Sequence, residues 1–435
     1  MDQEQVLTRH RKVLPKWLTL YYSDPIELVS GEGRYVIDAQ GRRYLDFFGG
    51  ILTTMTGYSV PEVVDAIRDQ ASKMIHSSTL YLITPMIELA ERIAGLSGIE
   101  DAKVFFTTSG TEANDTALLL ASCFRSSNNV LAVRGSYHGR SLLSMSVSGN
   151  PGYSPSSFYP LNVGYILGGS RLRGPLAGLS DREYIDRGVA DLRDLISNGT
   201  GGRIAALIAE PIQGVGGFNL PPDGYFGAIK QVLNEYGILF ISDEVQTGWG
   251  RTGEHFWGYQ WHGMVPEILT FAKGVGNGLA LAGVVARSDI IDSLPGASIS
   301  TFGGTPLATA AGIANLDYLL QQDLQGNAKR IGDFMMPALK RELGSFPTVG
   351  EVRGKGLMIG VEIVDPVDKS PSATGASQVH EECKSLGLLV GKGGVDGNVL
   401  RIAPPLSLTM DEAGSGVSIL AEAVRRSVGA KVGSL

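Results

Sequence analysis

Cysteine is nearly absent from this chain of 435 residues: only Cys123 and Cys383 occur, far apart and outside any CxxC spacing. That excludes a disulfide framework and a thiolate zinc site, and it fits reduced, cytoplasmic chemistry. Histidine is equally sparse. His10, His76, His255, His262 and His380 form no HxxxH or His/Cys cluster, so no metal site is expected. Long apolar runs are missing as well, since no stretch approaches the roughly 18 apolar residues of a membrane span. The opening Met1-Asp2-Gln3-Glu4-Gln5 is acidic and polar, without the basic and apolar regions of a signal peptide or the acid-poor composition of a transit peptide. Charge of one sign is not concentrated either. Against 44 Asp and Glu stand 37 Lys and Arg, a net −7 without long like-charge blocks, which leaves no electrostatic footprint for nucleic acid or an anionic membrane.

What is present is ordinary for a globular enzyme: 43% hydrophobic and 19% charged residues, with 58 glycines implying many tight turns. The length exceeds what one simple core usually holds, so a large domain with a smaller one is expected. The first forty-odd residues read as a helix and a small meander of strands at Glu27–Val29, Gly33–Asp38 and Tyr44–Phe47. From Pro61 a helix begins, and strands then alternate with helical segments: Lys103–Phe106, Asn129–Val133, Ile204–Ala209, Ile238–Ser242, Ile268–Ala272 and Ala282–Ala286. Several are apolar on both faces, as strands inside a mostly parallel sheet must be. This is an α/β core over 61–320. Residues 321–435 read as α+β, with helices near 326–344, 375–386 and from Asp411, and strands near 357–363 and 399–402. Together with residues 1–60 they form the smaller domain. The Gly/Ser-rich stretch 145–180 reads as one long loop.

Four motifs carry chemistry. In Phe105-Phe106-Thr107-Thr108-Ser109-Gly110-Thr111-Glu112, a strand runs into a turn and then an Ala/Leu-rich helix. Backbone N–H groups and hydroxyls at such a helix start bind phosphate, although the same pattern alone is an ordinary capped helix. Tyr137 and His138 follow the strand Asn129–Val133, where an aromatic face could stack on a flat ring or simply pack in the core. Asp243, Val245 and Gln246 follow the strand Ile238–Ser242, and Lys273 ends another apolar strand. An acid and an amine at one sheet edge can be a structural ion pair; they can also be an acid for a pyridinium nitrogen and a Schiff-base lysine.

With these motifs in place, the chain resembles the class III, ornithine- and GABA-aminotransferase-like group of fold-type I pyridoxal 5'-phosphate enzymes, from Leu28 to its C-terminus. The resemblance implies a large domain with a mostly parallel central sheet and a smaller α+β domain from both termini. It implies Lys273 as the residue that bonds the cofactor and Asp243 as partner of the ring nitrogen. Val245 and Tyr137 would sandwich the ring beside His138, and Gln246 would contact its phenolic oxygen. Ser109, Gly110 and Thr111 would hold the phosphate, joined by Thr301 from a neighbouring subunit, which makes the enzyme a homodimer with sites at the interface, or a pair of such dimers. Glu210 in Ala209-Glu210-Pro211-Ile212-Gln213-Gly214 matches an acid near the ring. Arg401 in Leu400-Arg401-Ile402-Ala403-Pro404-Pro405 matches the arginine that grips a substrate carboxylate, a task suited to its planar fork.

The departures are informative. Where many ω-amino relatives place a second glutamate that hides the arginine, this chain has Val215, so Arg401 should stay available to carboxylates. Gly57-Tyr58-Ser59-Val60-Pro61 replaces a Gly-His-x-His-Pro segment close to the expected pocket mouth, and Gly303-Gly304-Thr305-Pro306 replaces Gly-Gly-Asn-Pro. The expected reaction moves an amino group between an α- or short β-amino acid such as alanine and an oxo acid of the pyruvate or glyoxylate type. A stretch from Gly253 to Gln260, another from Ala272 to Gly278 and a third from Val352 to Gly360 resemble the alanine–glyoxylate branch of the class. A decarboxylase or racemase on the same scaffold is the alternative. Gly274-Val275-Gly276-Asn277-Gly278 does not fit the dinucleotide GxGxxG, and no ribose-binding acid follows at the required spacing.

Overall fold

The structure, a computed structural model, describes residues 3–155 and 159–429. A helix, Gln3–Val13, precedes the antiparallel strands β1 (Leu28–Glu32), β2 (Tyr35–Asp38) and β3 (Arg43–Asp46). The turn between β2 and β3 is tied by Asp38, whose Oδ1 accepts the backbone N–H groups of Gln40 and Arg42 at 3.0 and 2.9 Å. Such side-chain bonds are what make Asp a turn residue.

Seven strands build the central sheet: β4 (Ala102–Thr107), β5 (Asn129–Val133), β6 (Asn162–Ile166), β7 (Ile204–Ala209), β8 (Leu239–Asp243), β9 (Ile268–Phe271) and β10 (Ala282–Arg287). Their spatial order is β4-β10-β9-β8-β7-β5-β6, with β6, β5, β7, β8 and β9 mutually parallel and β10 antiparallel to both β4 and β9. Every residue of β7 and β8 is buried, which explains the unbroken apolar run of β7 and the apolar start of β8, Leu239 to Ile241, before Ser242 and Asp243. Helices cover both faces, among them Gly110–Arg125, whose Ala113, Ala117, Leu118 and Ala121 pack on the sheet.

The C-terminal strands β11 (Val349–Lys355), β12 (Met358–Ile363), β13 (Leu388–Leu389), β14 (Gly391–Gly393) and β15 (Val399–Ile402) sit between the helices Leu324–Leu343, Ala373–Ser385 and Met410–Gly429. β11, β12, β15 and β14 form one sheet; β13 instead pairs parallel with β3, so the two ends of the chain share a sheet.

Two expectations need correction. Residues 145–180 are not a single loop: the helix Leu142–Ser146 enters them and β6 lies within, at the sheet edge. The sequence of β6, Asn-Val-Gly-Tyr-Ile, contains a glycine and is only partly buried, so its apolar alternation is weak. β11 was hidden for the same reason, since Val-Gly-Glu-Val-Arg-Gly-Lys mixes glycines and charges on a half-buried strand.

Candidate functional site

Five polar motifs emerge just beyond the carboxyl ends of β4, β5, β7, β8 and β9, strands that all run the same way. Open α/β sheets bind ligands along that edge. A cavity of ≈ 130 Å³ lies there, lined by Gly110, Thr111, Asn114, Tyr137, His138, Gly139, Glu210, Asp243, Val245, Gln246 and Lys273. Nine of the residues singled out from sequence are therefore brought to one place.

Asp243 is its anchor, 4% exposed at the end of β8. Its Oδ2 accepts Asn114 Nδ2 at 2.8 Å and lies 2.8 Å from His138 Nδ1, and its Oδ1 accepts Val245 N at 3.1 Å. Asn114 donates also to His138 O at 2.8 Å and accepts Thr270 Oγ1 at 2.7 Å, so a single amide orients the acid and the loop opposite. Asn114 stands two residues beyond Glu112, outside the motif read from the sequence. A polar residue on the buried face of an Ala/Leu helix was the available signal.

Lys273 follows β9 in the left-handed region, at φ +51. Burial and the charge of Arg401 outweigh the attraction of Asp243 and Glu210, and bring its amine down to about 8, so a neutral fraction exists near pH 7. Glu210, at the end of β7, is buried and accepts Tyr137 N at 2.9 Å and Gly214 N at 2.7 Å. Burial first, then the Asp243 charge, raises its carboxyl to about 7 against the opposing pull of His138 and the two N–H donors. Gln246 lies so close over Gly214 that a Cβ there would stand 2.2 Å from Nε2; only glycine admits this approach. Val245 crowds the helix start in the same way, 3.0 Å from where a Gly110 Cβ would be.

Arg401 stands outside this lining but close to it. It is 3% exposed on β15, its Nη1 donates to Gly214 O at 3.3 Å, and it has no salt bridge among the described residues. Its Cζ lies 4.9 Å from the Phe48 ring centroid and 5.2 Å from that of Phe218. A buried guanidinium with aromatic walls and no salt bridge among the described residues suits an incoming anion, although the Glu210 carboxyl also acts on its charge. Tyr21 and Tyr153 also act on its charge, and Tyr153 meets the Tyr137 ring edge-on at 5.1 Å. Phe48, Tyr21 and Tyr153 were not found from sequence, because they reach the site from distant segments.

Three residues read from the sequence stand outside this lining. Ser109 uses its hydroxyl to cap the helix, accepting Glu112 N at 3.2 Å. Thr301 does not line this chain's cavity; it sits exposed in a turn whose Ser300 donates to Glu112 Oε1 at 2.6 Å. Tyr58 lies away from the cavity and bonds Asp46 Oδ2 at 2.5 Å. Asp46 Oδ1 in turn accepts Phe48 N at 2.7 Å, so the Tyr58 segment acts on the site through Phe48.

This fold and site define a fold-type I pyridoxal-phosphate transferase. The model of the family described as aminotransferase class-III matches residues 22–424, and the chain belongs to that family. It is 38% identical over 410 residues to alanine–glyoxylate aminotransferase 2 homolog 2, mitochondrial, of Arabidopsis thaliana, covering 94% of this chain and 84% of that protein. Alanine/serine racemase of Pyrococcus horikoshii is 35% identical over 442 residues, covering 99% and 92%. Among solved structures, an (S)-enantioselective omega-transaminase from Thermomicrobium roseum superposes with TM-score 0.90 at 34% identity, covering 99% of each chain. The enzyme is thus a pyridoxal-phosphate-dependent aminotransferase, and the cavity fits that cofactor on its own chemistry. It offers a fixed carboxylate, an amine, a helix start, and buried Gln246 Oε1 and His138 Nε2, both without a hydrogen-bond partner among the described residues.

Proposed function

We propose that this enzyme moves an amino group between a small α- or short β-amino acid and a 2-oxo acid of the pyruvate or glyoxylate type, in two alternating half-reactions. Arg401 carries the reading: a buried guanidinium with no salt bridge among the described residues, close enough to Lys273 to act on its charge, selects carboxylate-bearing partners in both directions. Val215 stands next to the carbonyl that Arg401 holds and offers no competing charge.

Bound pyridoxal phosphate supplies an electron sink for the carbon that loses its proton. Lys273 would attach the cofactor through Nζ, and its freed amine would accept the donor's Cα proton and later release it. Its lowered pKa suits both roles. Asp243, fixed by Asn114 and His138, would hold the ring nitrogen protonated; Val245 and Tyr137 would enclose the ring, and Gln246 would meet its phenolic oxygen. Gly110 and Thr111, with the helix start that Ser109 caps, take the phosphate. Glu210 fixes the backbone of Tyr137 and Gly214, the two walls between cofactor and Arg401. Arg401 would hold the substrate carboxylate and so orient the donor with its Cα–H bond toward Lys273.

Thr301 completes the phosphate site of a second copy. Ile299 and Phe302 beside it are 59% and 60% exposed, and with Leu80, Tyr81 and Leu82 they form an apolar surface that a homodimer would cover. We assign residues 1–60 and 321–435 to the small domain and 61–320 to the large one, a reading supported by the β3–β13 pairing. No described helix is long and apolar enough to cross a membrane. A cytoplasmic location rests on cysteine usage alone, and fractionation tests it.

A panel of amino donors against pyruvate, glyoxylate and 2-oxoglutarate tests the reaction. Alanine-like donors should lead, and poor activity with every carboxylate-bearing donor would overturn the role of Arg401. Racemisation is the second reading, favoured by the racemase relative; D-alanine formed from L-alanine without an acceptor would establish it.

A further inference from the structure

The helix Pro306–Gln321 is mostly Ala, Leu and Ile, yet Asn315 lies in its interior, 1% exposed. A buried amide among apolar side chains is costly unless its groups are paired, and this one is paired throughout. Its Nδ2 donates to Gly274 O at 2.8 Å and Val275 O at 3.1 Å, the two carbonyls directly after Lys273. Its Oδ1 accepts Thr56 Oγ1 at 2.7 Å. Thr56, also 1% exposed, donates its backbone N–H to Asn277 Oδ1 at 3.1 Å, and Asn277 Nδ2 closes the ring on Gly57 O at 3.0 Å.

The backbone that this network grips is strained. Lys273 and Asn277, at φ +51 and +43, bracket a single 3-10 turn, and a lysine in the left-handed region has no local side-chain bond to offset the conformation. Met55 closes the turn from the other side: its Sδ would stand 2.6 Å from a Cβ on Gly274. Met55 and Asn315 thus both touch this turn, the first by packing on Gly274 and the second by bonding the Gly274 and Val275 carbonyls.

We propose that Asn315, with Thr56, is a positioning residue for Lys273. It holds the strained turn in the one conformation that aims Nζ into the cavity, so that the amine meets the donor's Cα proton in line. This rests on the role proposed for Lys273 above.

The test uses holoenzyme of Asn315→Leu, Thr56→Val and the conservative Thr56→Ser, with the best amino acid donor in its ordinary and α-deuterated forms. Asn315→Leu should lower kcat about tenfold and Thr56→Val about threefold at unchanged KM, while the deuterium isotope effect on kcat rises. Thr56→Ser should keep wild-type values. A purely structural defect lowers the amount of active enzyme and leaves the isotope effect where it was; that result in both Asn315→Leu and Thr56→Val would overturn the proposal. If Asn315→Leu does not fold, Thr56→Val decides by the same measurements. Borohydride reduction and peptide mapping of each holoenzyme show where the cofactor is attached. A label away from Lys273 in the wild type would mean that the reading of Lys273 itself has failed, whereas a label on Lys273 with unmoved kinetics would sink only the clamp.

Discussion

Replacing Val215 by glutamate should mask Arg401. Gly214 O accepts Arg401 Nη1, Arg401 Nε has no partner among the described residues, and residue 215 follows directly, with its own carbonyl accepting Gly394 N at 2.9 Å. A carboxylate at 215 is expected to pair with the guanidinium that the adjacent carbonyl already holds, and burial strengthens such a pair. A substrate carboxylate must then displace it. A hydrogen bond to a charged group contributes about 1.5–3 kcal/mol, so KM for alanine-like donors should rise roughly 10- to 150-fold. Once the substrate is seated, the chemistry is untouched, and kcat should hold within about twofold. Val215→Gln has the bulk without the charge and should shift KM far less. The assay is initial rate against donor concentration with pyruvate as acceptor, repeated with an aliphatic amine that lacks a carboxylate. For the amine, kcat/KM should stay level or improve. Unchanged KM for alanine in Val215→Glu, with kcat intact, would refute the placement of the substrate carboxylate at Arg401.

Asp243→Asn keeps the shape of the carboxylate and removes its charge, which should cost about 3 kcal/mol of transition-state stabilisation, or roughly a hundredfold in kcat; single-turnover kinetics with a saturating donor checks this, and a loss under fivefold would count against it. Glu210, at about 7 in the folded protein against 4.5 as its ordinary value, holds a proton over that window that an unfolded chain releases. Its contribution to stability is therefore complete below pH 4.5 and lost as pH rises through 7, up to about 3 kcal/mol. Thermal unfolding of the apoenzyme should fall less between pH 5 and pH 8 in Glu210→Gln than in the wild type, and parallel curves would contradict the assignment. Thr301→Ala should weaken cofactor retention about tenfold, the worth of about one hydrogen bond to a charged group; absorbance titration of the apoenzyme measures it, and an unchanged Kd would remove Thr301 from the phosphate site.

Much of the site was legible because chemistry and fold are written in the same places. A buried parallel strand must be apolar on both faces, so β7, β8 and β9 stand out, and the polar residues that interrupt them, Glu210, Asp243 and Lys273, lie at the edge where ligands bind. β6 and β11 were missed because their glycines and half-exposed faces blur the alternation that marks a strand. The side chains around Arg401 were illegible for another reason. Phe48 and Tyr21 come from the N-terminal segment and Tyr153 from the stretch before β6, and only the tertiary fold brings them together. Tyr58 shows the same limit: its motif position pointed to the pocket mouth, whereas its hydroxyl holds Asp46, and its effect passes through the backbone of Phe48.

That last connection explains why one short N-terminal stretch touches both ends of the reaction. Asp46 fixes Phe48 against Arg401, and a few residues on, Met55 and Thr56 press on the turn of Lys273. If Arg401 holds the substrate carboxylate and Lys273 takes the Cα proton, as proposed, the separation and angle between the two would decide which bond breaks. The two residues lie on different elements, β15 and the end of β9, and loosening between those elements would blur that geometry. Residues 46–57 bridge them with a buried carboxylate at one end and a buried hydroxyl at the other. A substitution at either anchor should therefore show in reaction specificity, as racemised or decarboxylated product, before it shows in cofactor binding, because the residues that would surround the ring, Asp243, Asn114 and Gln246, make no hydrogen bond to this stretch among the described residues.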